Sequence, residues 1–304
     1  MEGPPRIDPD GAQVVPLPAD LVTAYLARLG VPPGPPTAQL LRAVHTAQVE
    51  RIAYEYLDTY AGRPPGIDPV QAARRFVTGG GGYCYHHNGA LAALLAALGF
   101  DVRRHRGGVR GTPEQDVEAA LGNHLVLTVS LEGLTWLADC GLGDLLHAPV
   151  PLRPGRFGQG PFTYELIDLG GGRWRLVHDP AQRSFCDMTF ELTPASMSAF
   201  VPRHVELSTS PTSGFTRTLH VMRREADRVE GLLGRVRYTV DSAGRHERSV
   251  ASPSEWFAIL ADEFGLTTES WTVAERSRIW DRVGAPREAR NGTSSGPSGV
   301  QVPE

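Results

Sequence analysis

Cys84 is the residue of this sequence best suited to nucleophilic chemistry. It follows the glycine run at residues 79–82 and precedes an apolar segment that predicts a helix. Glycines let a backbone approach a ligand closely and adopt positive φ. A helix N-terminus favours a thiolate, and its unpaired N–H groups can hold a developing oxyanion. On this local context alone, a catalytic thiol and a small core residue are both open interpretations.

A cysteine nucleophile needs a base, and the base needs a group that orients it. The segments HLVLTVSL and LTWLADC, separated by Glu-Gly, predict a β-hairpin with a two-residue turn. In that register Asp139 lies opposite Val126, which makes His124 its diagonal neighbour on the same face. The leucine-rich opposite face is predicted to be the core face, so His124 and Asp139 share a more polar face. The alternative interpretation is an ordinary polar pair on a solvated face.

The other histidines and cysteines are weaker candidates. His86 and His87 follow Cys84 but point to different helix faces and lack a third ligand, so no metal site is predicted. Cys140 and Cys186 are interpreted as structural, because neither lies at a predicted helix N-terminus. The odd number and wide spacing of the three cysteines indicate free thiols in a reducing compartment. The histidines with no evident carboxylate partner by spacing are His147, His178, His204 and His220.

Composition excludes several classes of function. The formal net charge of −4 favours neither nucleic acid nor an anionic membrane as a partner. The longest apolar stretch, residues 91–98, is too short to span a bilayer, and no signal-peptide pattern opens the chain, so a cytoplasmic protein is predicted. All 30 basic residues are Arg, which excludes a Schiff-base or P-loop lysine and, with abundant Ala, Gly and Pro, indicates a GC-rich, actinobacterial genome.

The elements that must position these residues change in character along the chain. Asp20, Thr37 and Asp68 are predicted N-caps of three helices, and the helix after Cys84 ends at Gly99. From about residue 102, alternating segments and turns predict a compact antiparallel sheet or barrel. From about residue 216, strands mix with two helices, and residues 285–304 are rich in Gly, Ser and Pro and predict a disordered tail.

Five segments resemble motifs of the arylamine N-acetyltransferases: RIAYEYLD, GGYCYHHNG, NHLVLTVSL, TWLADCGLGD and STSPTSGF. The resemblance extends over residues 20–283. It implies an α+β fold in three parts. These are an N-terminal helical bundle over 1–101 carrying the cysteine, a central antiparallel β-barrel over 102–215 carrying His and Asp, and a C-terminal α/β lid over 216–284.

The resemblance also implies a chemistry. Cys84, His124 and Asp139 match the family's catalytic triad in a site similar to that of cysteine proteases. A ping-pong reaction would carry an acetyl group from acetyl-CoA, through a Cys84 thioester, to an arylamine or hydrazine, with no bound cofactor. The loop Thr209–Phe215 is the implied donor-side element. The expected substrate-binding residues are Tyr54, Tyr83, Leu142, Gly143, His204, Ser210 and Phe215.

Four positions depart from the family pattern. Gly80 and His86 stand where the family usually has Arg and Glu, and we interpret this as the joint loss of two opposite charges, because a lone buried charge is costly. Leu142 stands where the family usually has Phe, which would widen the acceptor or acyl site. His204 stands where the family usually has Asn.

Three other functions stay open at this point. The first is an amide synthase of a natural-product pathway, which moves a longer polyketide acyl chain from a carrier protein or CoA onto an aryl amine. The second is a thiol hydrolase or transglutaminase-like enzyme with the same Cys-His-Asp logic. The third is a non-catalytic binding module that retains the fold.

Overall fold

Helices dominate the chain before residue 98. The computed structural model describes residues 12–182 and 184–284, so the predicted disordered tail at 285–304 lies outside the described residues. The elements of this first part are α1 (Ala19–Leu29), α2 (Ala38–Arg51), β1 (Tyr54–Glu55), α3 (Leu57–Tyr60), α4 (Pro69–Val77) and α5 (Cys84–Ala97).

The ends of these helices follow local sequence signals. Thr37 and Asp68 each accept a hydrogen bond from the backbone N–H three residues later, at 3.2 and 2.9 Å, which confirms both as N-caps. The prediction for Asp20 is wrong, because α1 begins at Ala19 and Asp20 therefore lies in its first turn. Its carboxylate is still favourable there, next to the positive end of the helix dipole. Gly30 ends α1 in the left-handed conformation, with φ of 63°.

The middle of the chain forms one antiparallel sheet. Its eight strands lie in the order β5-β4-β3-β2-β9-β8-β7-β6 and curl into a half-barrel with β5 and β6 as its edges. The α+β class is confirmed, and the predicted barrel takes this open form. The elements are β2 (Asp101–Arg110), α6 (Val117–Ala120), β3 (His124–Leu131), β4 (Leu134–Leu137), β5 (Val150–Pro151), β6 (Gly155–Gln159), β7 (Phe162–Gly170), β8 (Arg173–Val177) and β9 (Asp187–Pro194).

The hairpin of β3 and β4 has the predicted register. Leu131 pairs with Leu134, and the two turn residues between them have φ of 53° and 73°, as a type I′ turn requires. A hydrogen bond of 3.0 Å from Ala138 N–H to the Leu127 carbonyl continues this register beyond the end of β4. Asp139 therefore leaves the hairpin on the face that His124 occupies at the start of β3.

That shared face is buried, so the prediction that it is the more polar face is wrong. Val126 and Leu137 lie on it, and both are packed into a hydrophobic cluster with residues of β7, β8 and β9. His124 and Asp139 are themselves 1% and 0% exposed. The later strands of the curled sheet and the segment after β4 cover this face, which the alternation within the hairpin does not predict.

A second antiparallel sheet combines one strand of the N-terminal part with four strands of the C-terminal part. Its strand order is β1-β10-β11-β12-β13. Because β1 belongs to the N-terminal part and pairs with β10, this sheet extends across the domain boundaries expected near residues 101 and 215. β1 also bonds to the glycine run, because Glu55 N–H donates to the Gly82 carbonyl at 2.8 Å. The remaining elements are α7 (Val201–Thr209), α8 (Gly214–Arg217), β10 (His220–Arg224), β11 (Val229–Leu233), β12 (Val236–Asp241), β13 (Gly244–Ser249), α9 (Pro253–Ala258) and α10 (Val273–Gly284).

Within the described ranges, no helix combines the length and the apolar character needed to cross a membrane.

Candidate active site

Cys84 is the first residue of α5, with Tyr83 as the N-cap. The thiol is nearly buried, at 2% exposure, and its Sγ lies 3.7 Å from the carbonyl oxygen of Asn123, the residue before β3. The first N–H groups of a helix have no acceptor within that helix. The sulfur therefore lies at the junction of α5 and the curled sheet, beside N–H groups that can stabilise negative charge.

His124 and Asp139 form the contact that the hairpin register predicts. His124 Nε2 donates to Asp139 Oδ2 at 2.6 Å, with both side chains buried. Burial opposes the charged imidazolium, but the Asp139 carboxylate, its hydrogen bond and the Cys84 thiol together raise the pKa of His124 to about 10. The pKa of Asp139 is lowered: burial acts against ionisation, and the charge of His124 and hydrogen bonds to the carboxylate overcome it. The pair is arranged to hold a proton on the imidazole.

Nδ1 of His124 is the ring nitrogen that can interact with the Cys84 thiol. Nδ1 is buried and has no hydrogen-bond partner among the described residues, because Asp139 occupies Nε2. The Cys84 sulfur contacts the carbonyl of Asn123, the residue before His124, and both Cys84 and His124 line one cavity, so the sulfur lies near this ring. An imidazole held in this way can accept the thiol proton and return it later, as in other nucleophile–histidine–carboxylate sites.

Asn88 is a site residue that the sequence argument missed. It lies one helical turn after Cys84, and its Nδ2 donates to Asp139 Oδ1 at 2.7 Å and to the Leu125 carbonyl at 2.5 Å. Its Oδ1 accepts from the N–H of Cys140 at 3.0 Å. One amide thus joins α5, β3 and the segment after β4. Its spacing from the cysteine was the available signal, because residues four apart share a helix face.

Gly141 allows the segment after β4 to lie close to the start of α5. A Cβ on Gly141 would lie 2.6 Å from Asn88 Nδ2 and 2.9 Å from the Cys84 Cα. The N–H of Gly141 also donates to Asp139 Oδ1 at 2.8 Å. Only a glycine lets the chain after β4 pass this close to the start of α5 and still donate to the carboxylate.

The backbone of the glycine run before Cys84 packs closely against other segments of the chain. This corrects the expectation that these glycines allow a close approach to a ligand. A Cβ on Gly81 would lie 2.3 Å from a backbone carbonyl oxygen, and one on Gly82 would lie 2.6 Å from the Cβ of His86. His86 Nδ1 accepts from the N–H of Tyr83 at 3.3 Å, the contact that Glu makes in a capping box. Burial, and after it the charge of Arg75, lowers the pKa of His86 to about 3, so the ring stays neutral and can accept.

Arg75 supplies the positive charge that Gly80 lacks, so the interpretation that both charges are lost is wrong for the cation. A Cβ on Gly80 would lie 2.5 Å from Arg75 Cγ, so Arg75 fills the space of a side chain at that position. Its guanidinium donates to the Gly81 carbonyl at 2.7 Å and pairs with Glu55 at 3.0 Å and Asp58 at 2.6 Å. Burial opposes the charge, but the two carboxylates raise the pKa of Arg75.

We expect Arg75→Met to lower the free energy of unfolding by about 3 kcal/mol, because it leaves a buried carboxylate without its cation. Glu55 is 1% exposed and pairs with no other cation among the described residues. Urea unfolding followed by circular dichroism measures the change. Arg63→Met is the matched control, since Arg63 is half exposed and pairs with more accessible carboxylates, so its loss costs less than about 1 kcal/mol. Equal losses in both variants would show that the buried pair contributes no more than a surface one.

A cavity of about 270 Å³ opens beside the thiol. Three of the expected substrate-binding residues, Tyr54, Leu142 and Phe215, line it, and Phe215 stacks on Tyr56 with ring centroids 4.4 Å apart. Every part of the fold contributes to the wall. Its lining residues are Tyr54, Tyr56, Cys84, Val109, Asn123, His124, Leu142, Asp144, Ser184, Phe185, Leu207, Phe215, His220 and Met222.

The other four expected substrate-binding residues do not line this cavity. Tyr83 and His204 bond to each other instead, with 2.5 Å between the Tyr83 hydroxyl and His204 Nδ1. Gly143 packs against β1 and β10, where a Cβ would lie 2.5 Å from the Cβ of Met222. Ser210 caps the end of α7 and its hydroxyl bonds to Thr212 at 2.9 Å. Their assigned role in substrate binding therefore stays a prediction.

Two of the histidines for which spacing shows no partner, His147 and His178, each lie near a carboxylate, and only that of His147 is within hydrogen-bond distance. His147 Nε2 lies 2.6 Å from Glu50 Oε1, and His178 Nε2 lies 3.8 Å from Asp144 Oδ2. Both carboxylates are distant from their histidines in sequence, so spacing does not reveal them. Across residues 12–182 and 184–284, no group of three or more His, Cys, Asp or Glu residues is placed to hold a metal ion.

Known proteins are similar to this chain in sequence and in fold. A sequence profile described as N-acetyltransferase matches residues 37–273. An arylamine N-acetyltransferase / N-hydroxyarylamine O-acetyltransferase of Salmonella typhimurium is 28% identical over 251 residues, which are 80% of this chain and 88% of that protein. The structure of the Mycobacterium marinum arylamine N-acetyltransferase in complex with CoA superposes with a TM-score of 0.75 and 28% identity, covering 86% of this chain and 98% of that one.

Proposed function

The chain belongs to the arylamine N-acetyltransferase family of acyltransferases, and from that membership we propose that it moves an acetyl group from acetyl-CoA to an arylamine or hydrazine through a thioester on Cys84. The observation that carries this proposal is the buried arrangement of three side chains. Cys84 lies beside His124, and Asp139 binds the far nitrogen of His124 at 2.6 Å. These residue types in this order supply a nucleophile, a base and an orienting carboxylate.

In the first half-reaction, the Cys84 thiolate attacks the acetyl carbonyl carbon. The N–H groups at the start of α5 stabilise the oxyanion, and the carbon–sulfur bond to CoA then breaks. The His124 imidazolium gives its Nδ1 proton to the leaving CoA thiolate. The products are free CoA, an acetyl group on Cys84 and a neutral His124 that Asp139 holds in place.

In the second half-reaction, the acceptor nitrogen attacks the thioester. Its excess proton passes to Nδ1 of His124, and the bond between the acetyl carbon and the Cys84 sulfur breaks. The thiolate and imidazolium are thereby restored, and the acetylated amine leaves. The raised pKa of His124 supports this return to the charged pair.

The cavity supports a small acceptor. Its volume of about 270 Å³ lies just below the usual range for small-molecule pockets, which begins at about 300 Å³. Most of its wall is aromatic or aliphatic. CoA as the donor rests on the relative from Mycobacterium marinum, whose structure holds CoA. Leu142 lines the cavity in the place where the family usually has the larger Phe. The smaller side chain would widen the site, which is the reason that a longer acyl group stays an alternative.

Intact-mass spectrometry with a panel of acyl thioesters tests the proposal. We expect acetyl-CoA to add one acetyl group to the protein, and peptide mapping to place it on Cys84 rather than on Cys140 or Cys186. Adding aniline or phenylhydrazine should then discharge the acetyl group as the N-acetyl product. Propionyl-CoA and decanoyl-CoA complete the panel, and the longer chain should load more slowly because the cavity is small.

Two results would contradict the proposal. Loading by decanoyl-CoA but not by acetyl-CoA would favour the amide-synthase alternative. Loss of the acetyl group at the same rate with and without an amine would make the protein a thiol hydrolase instead.

A further inference from the structure

Asp144 is a buried carboxylate in the wall of the cavity that holds Cys84. It is 2% exposed, and its Oδ1 has no hydrogen-bond partner among the described residues. The reaction proposed above gives it no part, because Asp139 already orients His124. Buried carboxylates are normally paired or fully hydrogen-bonded, so an unused oxygen here is unusual.

The described basic side chains nearest Asp144 leave its Oδ1 without a hydrogen bond. His178 Nε2 is 3.8 Å from Asp144 Oδ2, beyond hydrogen-bond distance, and is 3.2 Å from the backbone oxygen of the same residue. Arg224 acts on Asp144 through its charge, but it donates to backbone carbonyls instead, those of Leu145 at 3.4 Å and Gln159 at 2.8 Å among them. Oδ1 of this carboxylate therefore keeps hydrogen-bonding capacity that none of the described neighbours uses.

The described residues of the neighbouring wall add no positive charge beyond that of His124. His220 lines the cavity and bonds to the Tyr238 hydroxyl at 2.6 Å, and burial, followed by the charge of Arg245, lowers the pKa of His220 to about 4. Burial, and after it the charge of Asp144, raises the pKa of Tyr238, so this hydroxyl also stays neutral. Among the described lining residues only His124 can carry a positive charge, and Asp139 balances it.

We propose that Asp144 is the acceptor-recognition residue of this enzyme: its carboxylate binds a second, cationic or hydrogen-bond-donating group of the amine while the reacting nitrogen faces Cys84. This inference rests on the proposed function and names its substrate class. A planar amidinium or guanidinium substituent fits best, because it can donate two parallel hydrogen bonds to one carboxylate. An anionic substituent is repelled, since two like charges in a site of low dielectric are strongly unfavourable.

Three acceptors of nearly the same shape test the proposal: 3-aminobenzamidine, 3-aminobenzamide and 3-aminobenzoate, which are cationic, neutral and anionic. The acetyl-enzyme is formed first with acetyl-CoA, and its discharge by each acceptor is followed by stopped-flow and mass spectrometry. We expect the second-order rate constant for the amidine to exceed that for the amide by about 10-fold to 100-fold, the value of one charge-assisted pair of hydrogen bonds. The benzoate should be slowest.

Asp144→Asn should remove this ranking, because the variant keeps the shape of the side chain but loses its charge. The preference of amidine over amide should fall to about 3-fold or less, and the benzoate should gain. Asp262→Asn is the control: it makes the same change in net charge at an exposed carboxylate on the surface and should keep the wild-type ranking.

The outcomes separate this inference from the function on which it rests. If the wild-type enzyme forms no acetyl-enzyme, the proposed function fails. If acetyl-enzyme forms but discharges equally fast to all three acceptors, the role of Asp144 is overturned and the function stands. The wild-type ranking needs no variant, so a poorly folded Asp144→Asn protein does not remove the test. Retention of the full ranking in a folded Asp144→Asn would assign recognition to another group.

Discussion

We expect Cys84→Ser to lose acetyl transfer by a factor on the order of 10⁶, because removal of the nucleophile of a triad eliminates the chemical step and leaves only binding. A serine hydroxyl occupies the same position at the start of α5, but it is a far weaker nucleophile than a thiolate at neutral pH. Steady-state turnover of acetyl-CoA with aniline measures the loss, and intact mass should show no acetyl adduct.

Cys186→Ser is the matched control for this variant. Cys186 makes its contact outside the cavity, where its Sγ bonds to the Arg110 carbonyl at 3.2 Å, and a hydroxyl can make the same bond. This variant should turn over like the wild type. Cys84→Ser activity above a few per cent of wild type, in protein shown by mass to contain no residual cysteine at position 84, would place the nucleophile elsewhere.

The second large effect is expected for Asp139→Asn, which should reduce turnover by about 10⁴-fold. The reason lies in the two donors around Asp139 Oδ1, Asn88 Nδ2 at 2.7 Å and Gly141 N–H at 2.8 Å. These donors will hold the oxygen of the new amide, so its NH₂ group must face Nε2 of His124. Nε2 then accepts rather than donates, and the ring proton moves to Nδ1, where it blocks uptake of the thiol proton.

Two measurements identify this cause. Turnover should fall while the thermal unfolding transition stays cooperative, and alkylation of Cys84 by iodoacetamide should slow because fewer thiolates are present. Asp241→Asn is the control, since Asp241 also lies near a histidine, His246, but at 3.7 Å on the surface. Normal turnover in a folded Asp139→Asn protein would show that Asp139 does not set the tautomer of His124.

Local sequence determined a large part of this site. The N-caps at Thr37 and Asp68 depend on side chains three residues from the N–H they bind, and the hairpin register depends on a two-residue turn, so both were predictable. The contact of His124 with Asp139 followed from that register. The order of the motifs, which fixes the family, is likewise a property of the chain alone. In each case the interacting groups are close in sequence or belong to one local pattern.

Only the tertiary structure decided what surrounds these residues. Arg75 of α4 pairs with Glu55 of β1, Asn88 of α5 bonds to Asp139 after β4, and Asp144 faces a cavity built from every part of the fold. The burial of the His124 face came from strands that follow it by tens of residues. Charge and burial depend on which distant segments pack together, and a periodic pattern within one element carries no information about those partners. The sequence therefore predicted a candidate nucleophile and its base, while the folded chain decided how these side chains are held and which residues line the cavity beside them.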